Sequence, residues 1–586
     1  MMIRYFLCLY LAAALFACKE DPPTGKTDTA NATGADVTAA ALRVAVRVEP
    51  NSLNPILTTQ AAARNVRELI FQTLNSMDPL TYEPVPLLAS LPDVSKEPGG
   101  GVSYSYVIDE SAKWPNGLPV TAADVIFSLK AIMNPKVEAG PYRTFYYNIA
   151  NIITSPNNER RFKVMTRRPY IMAEQAIASL PVYPEYAYDP GRLLRKVRVE
   201  ALTNEKSAGP MADKNEDLIK FAEAFQDVSL ATDPARIIGS GPYQLTSWEP
   251  GQEMVLDRRE DYWAIDSKKP WLAAAAPKIV IRFIEDATPT VNALRDETID
   301  VAIDLDAEQY NAIKTEEYLT ERYDFTAAPG VNFYGLMMNQ QNPLFREQAT
   351  RRAMAHLVDV DVVIEQLFGA GLARRVLGPV LQGKSYFLDK PFIPFDLDKA
   401  AALLQEAGWE DTNGDGTLDR MIDGESTEFS FSLMVFPSPA SKGVGALLAE
   451  WAGEIGVDVE VSVQSPQALY GELNKGNYAM ALMGMGRDPG LDDFTQVWAS
   501  TSVPPNGSNR SGFSNPEADR IIKQITTTLD ENERNELYRR FQEIIYENQP
   551  IIFLLSANAR LVVSKKLEYE TTAVSPGLRF NAMTRK

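Results

Sequence analysis

Cysteine and histidine are almost missing from this chain. Its 586 residues include two cysteines, Cys8 and Cys18, and one histidine, His356. A disulfide framework, a CxxC metal site and a cysteine nucleophile in the folded body are therefore excluded once the first 18 residues are set aside. A zinc site of several histidines is excluded as well. His356 lies on a helical stretch, Glu347 to Val358, with no local serine and aspartate to complete a triad, and it reads as a helix-packing residue. Positive charge is also short. The formal net charge is -19, and no basic patch with interleaved aromatics occurs, which argues against a nucleic-acid partner. Nucleophile elbows and HExxH motifs are absent, and Gly443-Val444-Gly445 lacks the third glycine of a dinucleotide loop. Carboxylates are plentiful, so an acid-base pair is the enzyme chemistry that stays open.

The longest apolar run near the start, Tyr5 to Ala17, is too short to span a bilayer, which takes about 20 residues. It follows Arg4 and ends in Leu15-Phe16-Ala17-Cys18, the layout of a secretory signal closing on a lipobox. On that reading residues 1–18 are a lipoprotein signal and Cys18 becomes an acylated N-terminus. The plainer alternative is an ordinary signal peptide with an incidental cysteine. Lys19 to Thr38 is rich in Asp, Thr, Ala, Gly and Pro without an apolar period, so residues 19–40 read as a flexible tether.

The remainder is far longer than one core needs, so two or three lobes are expected. No internal repeat or long linker interrupts it. Ala41 to Val48 alternates as a strand, and Ala61 to Leu74 has a helical period. Thr121 and Asp124 open a helix with a capping-box pattern that runs to Met133. Asp189 to Asp233 is charged and mainly helical in pattern, a candidate surface insertion. Ile237 to Trp263 reads as a Gly-Pro turn, a strand to Trp248, a second turn and a strand from Glu253 to Arg258. Further strands are expected at Lys278 to Phe283, Asn332 to Asn339, Val457 to Val463, Pro550 to Leu555 and Arg560 to Ser564. Asp411 to Gly416 has the first half of a calcium loop, but position 12 would be Ile422; the missing carboxylate favours an Asx-rich turn over a calcium site.

Two blocks carry a family resemblance. The first is IIGSGPYQLTSWEPGQEMVLDRREDYW, Ile237 to Trp263; the second is WPNGLPVTAADVIFSLKAIMNP, Trp114 to Pro135. Smaller matches follow in order at Leu53-Asn54-Pro55, Met77 to Ala89, Ile299-Asp300, Asn506 to Asp519 and Ser575 to Leu578. Together they resemble the bacterial family 5 extracellular solute-binding proteins, the peptide-binding components of ABC importers. The resemblance covers about Ala41 to Leu578. It implies an α/β, two-lobed periplasmic-binding-protein fold of the large peptide-binding type with an additional domain. The implied division is lobe I from residues 41–74, 160–312 and 551–586, an extra domain over 75–159, and lobe III over 313–550. It further implies no catalysis, no cofactor and no resident metal. The expected partners are a small peptide or similar solute and ABC permease subunits, with the chain acting as an exported, lipid-anchored monomer.

Ligand contacts are expected in Ala479 to Trp498, a short strand opening into a Gly, Pro and Asp-rich loop. In peptide-binding members this block carries a Trp and, three positions later, an Asp that pairs with the ligand ammonium. Placing Met485 in the Trp position puts Asp488 in the carboxylate position, with Asp492 as the alternative anchor. Arg487, Trp498 and Thr59 complete the expected set. Met485 and Gly486 depart from the family pattern by removing an aromatic wall. The plainer reading of the loop is a solvated acidic turn. Same-fold alternatives are a metal chelate, haem or oligosaccharide as cargo; alternatives of another class are a ligand-sensing surface lipoprotein and a cell-surface hydrolase. Replacing Cys18 with Ser is expected to shift the protein from the membrane to the soluble fraction, and continued tight membrane retention would sink the lipobox reading.

Overall fold

Leu42–Val46 has buried side chains on both faces: Leu42 and Val44 join one apolar core and Ala45 another. A strand covered on both sides belongs inside a sheet. In the computed structural model, which describes residues 41–586 except 59 and 304, it is the middle strand of a seven-stranded sheet. The strand order is Tyr323–Ala328, Ala559–Ser564, Val301–Ile303, Leu42–Val46, Lys278–Phe283, Glu253–Arg258 and Tyr243–Glu249. Leu42–Val46 runs parallel to both of its neighbours, while the remaining pairs are antiparallel. A six-stranded sheet follows the order Ala373–Arg375, Ile551–Ala557, Phe333–Met338, Met480–Met485, Ser430–Val435 and Asp458–Val463. Its two faces carry separate apolar clusters, one around Leu336, Leu433 and Leu554 and the other around Phe333, Phe541 and Phe553. A third, four-stranded sheet joins Asp93–Lys96, Val102–Val107, Asn158–Thr166 and Ile149–Ser155. The mixed α/β architecture agrees with the fold class expected from the sequence. The signal and tether segments, residues 1–40, lie outside the described residues.

The hairpin edge of the large sheet shows what the Gly-Ser-Gly-Pro turn is for. A Cβ on Gly239 would lie 2.0 Å from the carbonyl oxygen of Ile70, and one on Gly241 2.6 Å from it. The Gly241 amide donates to that same carbonyl at 2.8 Å. The buried Arg259 guanidinium donates to the carbonyls of Gly239 and Gly241 and pairs with Asp261 at 3.1 Å. Next along the chain, Gln72 donates to the Tyr262 hydroxyl and accepts from the Trp263 indole, each at 3.0 Å. The block that carries the family resemblance is thus a clasp between the sheet edge and the helix Ala61–Ile70.

Strand pairing moves the lobe boundaries. Residues 313–328 were expected in lobe III, yet Tyr323–Ala328 pairs with Ala559–Ser564 in the large sheet. Residues 551–557 were expected in lobe I, yet Ile551–Ala557 pairs with Phe333–Met338 in the six-stranded sheet. The expected edge of the extra domain at 159 cuts through the strand Asn158–Thr166. The apolar alternation of these strands predicts that they are buried but not which sheet they join. The segment from Asp189 to Asp233 is also more than a surface insertion. Its Phe221 meets Phe127 of the helix Ala122–Met133 edge to face at 5.8 Å, and Phe225 packs on Tyr183 at 5.5 Å.

The Thr121 cap is present as expected: the Asp124 carboxylate accepts from the Thr121 amide at 2.9 Å while the Thr121 side chain serves the N3 amide. In the 411–416 turn the Asp411 carboxylate accepts from the amides of Gly414 and Gly416, so the turn uses its acid internally. His356 sits at a helix end with its ring Nδ1 2.9 Å from the Pro394 carbonyl.

Gly239→Ala should lower the free energy of unfolding by about 1–3 kcal/mol, the range for forcing an extra carbon into a filled site. Urea denaturation would read this as a lower midpoint at unchanged slope. Gly99→Ala, where an added Cβ meets nothing within 4 Å, should leave the midpoint in place.

Candidate functional site

The site is built on the strand Met480–Met485, one of the two central strands of the six-stranded sheet. It runs antiparallel to Phe333–Met338 in a register that sets Phe333 opposite Met485 and Tyr334 opposite Gly484. Both strand ends lie where the chain passes between the two large sheets. The passage outward is Pro329 to Asn332 and the return is Asn558, between strands ending at Ala557 and starting at Ala559. A Cβ on Gly330 would lie 2.0 Å from the Ala557 carbonyl oxygen, so the two passages touch. The fully buried Ser556 hydroxyl lies 2.8 Å from the Gly330 carbonyl and 2.6 Å from that of Asn332.

Beyond Met485 the loop is fixed from beneath by a buried ion pair. Lys384 Nζ reaches Asp492 Oδ2 at 2.8 Å, with both side chains less than a tenth exposed. The same ammonium donates to the Asp488 carbonyl at 2.6 Å, and the Tyr386 hydroxyl donates to Asp492 Oδ2 at 2.9 Å. Tyr538 donates to the Asp492 carbonyl at 2.6 Å and stacks on Tyr386 with ring centroids 4.0 Å apart. Burial raises the Asp492 carboxyl above its ordinary range and lowers Lys384; in each case the partner opposes the shift. Burial and the nearby Asp492 charge push the Tyr386 hydroxyl far up, so it stays a donor.

Held this way, Asp488 presents an exposed carboxylate. It accepts from the Gly490 amide at 2.8 Å, and Gln175 Nε2 stands 3.5 Å away. Among the described residues no cation pairs with it. Gln175 lies on the helix Met172–Ala178, which follows the four-stranded sheet in the chain, and its Oε1 accepts from the Leu491 amide at 3.2 Å. Tyr170 donates to Asp493 at 2.8 Å, and the Ile171 amide donates to the Thr526 carbonyl at 3.0 Å. The loop therefore packs directly against the segment 170–175, whose Ile171 and Met172 join the apolar cluster around Phe333.

The other expected residues separate. Met485 is half-buried against the Phe333 cluster. Trp498 is 3% exposed and packs among Phe513, Phe541 and Phe553, which makes it core. Asp492 is 6% exposed and already paired, so its carboxylate is not open to a ligand in this conformation. Arg487 is 8% exposed; its Nε donates to the Val331 carbonyl at 2.8 Å. Thr59 and Cys18 lie outside the described residues. Sequence reasoning missed Lys384, Tyr386, Tyr538 and Gln175, because nothing local links Lys384 to an acid 108 residues later. It also missed Tyr334, 37% exposed, whose ring lies 3.3 Å from where a Gly484 Cβ would be. That aromatic stands at the same strand end as Met485, the residue expected from the sequence to take the place of a Trp.

A sequence model of the bacterial extracellular solute-binding proteins, family 5 Middle, matches residues 83–507. The chain belongs to that family. Among its family 5 relatives, the oligopeptide-binding protein AppA of Bacillus subtilis is 25% identical over 527 residues, covering 89% of this chain and 87% of AppA. The periplasmic oligopeptide-binding protein OppA of Salmonella typhimurium is 24% identical, covering 83% of this chain and 86% of OppA. Among solved structures, NikA of Brucella suis in complex with Fe(III)-EDTA superimposes with a TM-score of 0.72 at 19% identity, covering 93% of this chain and all of NikA. This last likeness speaks for the two-lobed family 5 fold.

Lys384→Met should destabilise the protein by about 3–5 kcal/mol at neutral pH, because it leaves Asp492 charged and unpaired in the core. The sign of the pH effect follows from proton binding. Without Lys384 the folded Asp492 holds its proton to higher pH than the unfolded side chain, which releases it near about pH 3.9. The folded state then binds more protons over that interval, so stability falls as pH rises through it. The deficit relative to the native chain should shrink toward about pH 4 in denaturation curves taken across pH; a deficit independent of pH would contradict the burial of Asp492.

Proposed function

We propose that this chain is a membrane-anchored receptor that captures a short peptide, or a similar small solute with a free ammonium, and hands it to an ABC permease. The two halves close on the cargo by turning about the passages at Pro329 to Asn332 and Asn558. One observation carries the reading. Asp488 offers an exposed carboxylate at the end of a central strand, unpaired with any cation among the described residues, on a loop held by the buried Lys384–Asp492 pair and faced by Gln175. A carboxylate enclosed on lobe closure gives an ammonium a charge-assisted bond of about 1.5–3 kcal/mol. The names of the relatives in Bacillus and Salmonella point to the same cargo class. No chemistry is assigned to the site. The lone His356 is tied to the Pro394 carbonyl at a helix end. Anchorage through Cys18 would hold the receptor near its permease while the tether gives it reach.

Asp488→Asn should weaken binding of free-amino tri- to pentapeptides by about tenfold to hundredfold, with little change for their N-acetylated forms. Calorimetry on the full chain reads both. Equal affinities of the native protein and the Asp488→Asn variant for free-amino peptides would remove Asp488 from the site, and steady release of cleaved peptide would replace the receptor by a hydrolase.

A further inference from the structure

The tip of one hairpin is strained, and its strained residue reaches the other half of the chain. Strands Asn75–Met77 and Pro84–Pro86 pair antiparallel. In the turn between them the Asp78 amide donates to the Glu83 carbonyl at 2.9 Å, and the Tyr82 amide to the Asp78 carbonyl at 2.8 Å. Asp78 Oδ1 accepts from the Leu80 amide at 2.9 Å and pairs with Arg579 at 2.8 Å, both side chains of the pair being largely buried. Arg579 stands between Leu578 and Phe580, which join the apolar cluster of Leu42 and Val44, so the turn is fastened to the half that holds the large sheet. Tyr82 has a φ of +60°, in the left-handed region. That conformation disfavours a residue with a Cβ and is open to glycine. Such strain persists only where the surroundings enforce it, and it collects where the position of a side chain matters.

The position of Tyr82 gives its ring a contact across the gap. Leu80, Thr81 and Glu83 are exposed around it, yet Tyr82 is half-buried. A Cβ on Gly383 would lie 3.6 Å from Tyr82 Cε2, and Gly383 has a φ of +103°, so its loop turns bare backbone toward the ring. That loop belongs to the half that holds the six-stranded sheet. Val380 and Tyr386 at its ends join the Phe333 cluster, and Lys384, the next residue, forms the buried pair with Asp492. The contact lies outside the two passages at Pro329 to Asn332 and Asn558. Bodies joined by adjacent passages can swing about them, and a contact made elsewhere fixes the angle.

We propose that this hairpin is a latch, whose strained tip holds the Tyr82 ring against Gly383 and keeps the two halves shut. The proposal rests on the turning of the halves about the passages, and on neither Asp488 nor the nature of the cargo. Tyr82 is a positioning residue: it acts by favouring the closed state, from which cargo leaves only after the halves part. Removing the contact therefore lowers the closed fraction and speeds release, while the rate of capture by the open state stays as it is. Seating the ring on a loop that also carries Lys384 brings the latch to the base of the 488–493 loop.

The test reads the angle between the halves directly. Cys8 and Cys18 are the only cysteines, so with both replaced by serine the chain can carry spin labels at introduced cysteines alone. Gln252→Cys, at the edge of the large sheet, and Asp398→Cys, on the helix Leu397–Glu406, are exposed sites on the two halves. Tyr82→Ala and Tyr82→Gly should each lower the short-distance population about threefold to tenfold, and Tyr82→Phe, which keeps the ring, should match the native chain. Tyr82→Gly also relieves the left-handed strain, so its urea midpoint should stay level or rise while the closed fraction falls. Distances unchanged in the Ala and Gly variants overturn the latch. A closed fraction lost only together with a lowered midpoint in both variants makes Tyr82 a structural residue and overturns it as well. Stopped-flow binding of Ala-Ala-Ala should show release faster by the same factor at an unchanged association rate. If the native chain binds no tripeptide while Tyr82→Gly still empties the closed population, the latch stands and the peptide reading falls.

Discussion

The chain passes between its two large sheets twice, and the two passages are in contact. Everything that the halves do relative to one another is limited by that contact. Gly330 is a glycine because the Ala557 carbonyl occupies the place of its side chain. Ser556, one residue earlier on the return strand, lies within hydrogen-bond distance of both the Gly330 and Asn332 carbonyls. A serine hydroxyl has a single proton to donate, so it serves one of these carbonyls at a time. The passages are thereby held close without being locked to one angle. In the proposed closure, backbone rotation at Pro329 to Asn332 and at Asn558 is what would change the angle between the sheets.

The loop beyond Met485 is attached to this constraint by charge. Arg487 ties the Met480–Met485 strand end to the Val331 carbonyl of the outward passage, and Lys384 ties the loop beyond it to the core. Burying Lys384 with Asp492 is poorly repaid in stability, since the desolvation of both charges offsets most of their attraction. Its structural return is the position of Asp488: the ammonium that neutralises Asp492 also takes the Asp488 carbonyl. Among the loop acids, Asp492 is paired with Lys384 and Asp493 accepts from Tyr170, while the Asp488 carboxylate has no cation or hydroxyl donor among the described residues.

Where the sequence was legible, the reason is local. The hairpin from Tyr243 to Arg258, the Thr121 cap and the helix Ala61–Ile70 each follow from turn residues, capping residues or a helical period within a few positions. The three-residue spacing from Met485 picks out Asp488, and the structure places its carboxylate exposed at the end of the central strand. What stayed hidden depends on distant pairing. Strand alternation marks Tyr323–Ala328 and Ile551–Ala557 as buried, but the partner that assigns each to a sheet lies more than 200 residues away in sequence. Trp498 and Asp492 have residue types that suit a binding loop and a core equally, and only the packing of Phe541 and Lys384 against them decides.

The departure at Met485 has a counterpart that a linear reading cannot show. In the antiparallel register the residue opposite Gly484 is Tyr334, not a residue of the same loop. Gly484 has no side chain, and the Tyr334 ring occupies the space that one would fill. A larger residue at 484 would displace the ring, so the glycine and the tyrosine form one unit divided between two strands. Tyr334 thus places an aromatic ring at this strand end from the neighbouring strand, just past the passage whose carbonyls Ser556 and Arg487 hold. The end of the central strands, the charged loop and the passage between the sheets are therefore joined by direct contacts, so that in the proposed closure a rotation at Pro329 to Asn332 would carry Tyr334 and Asp488 together.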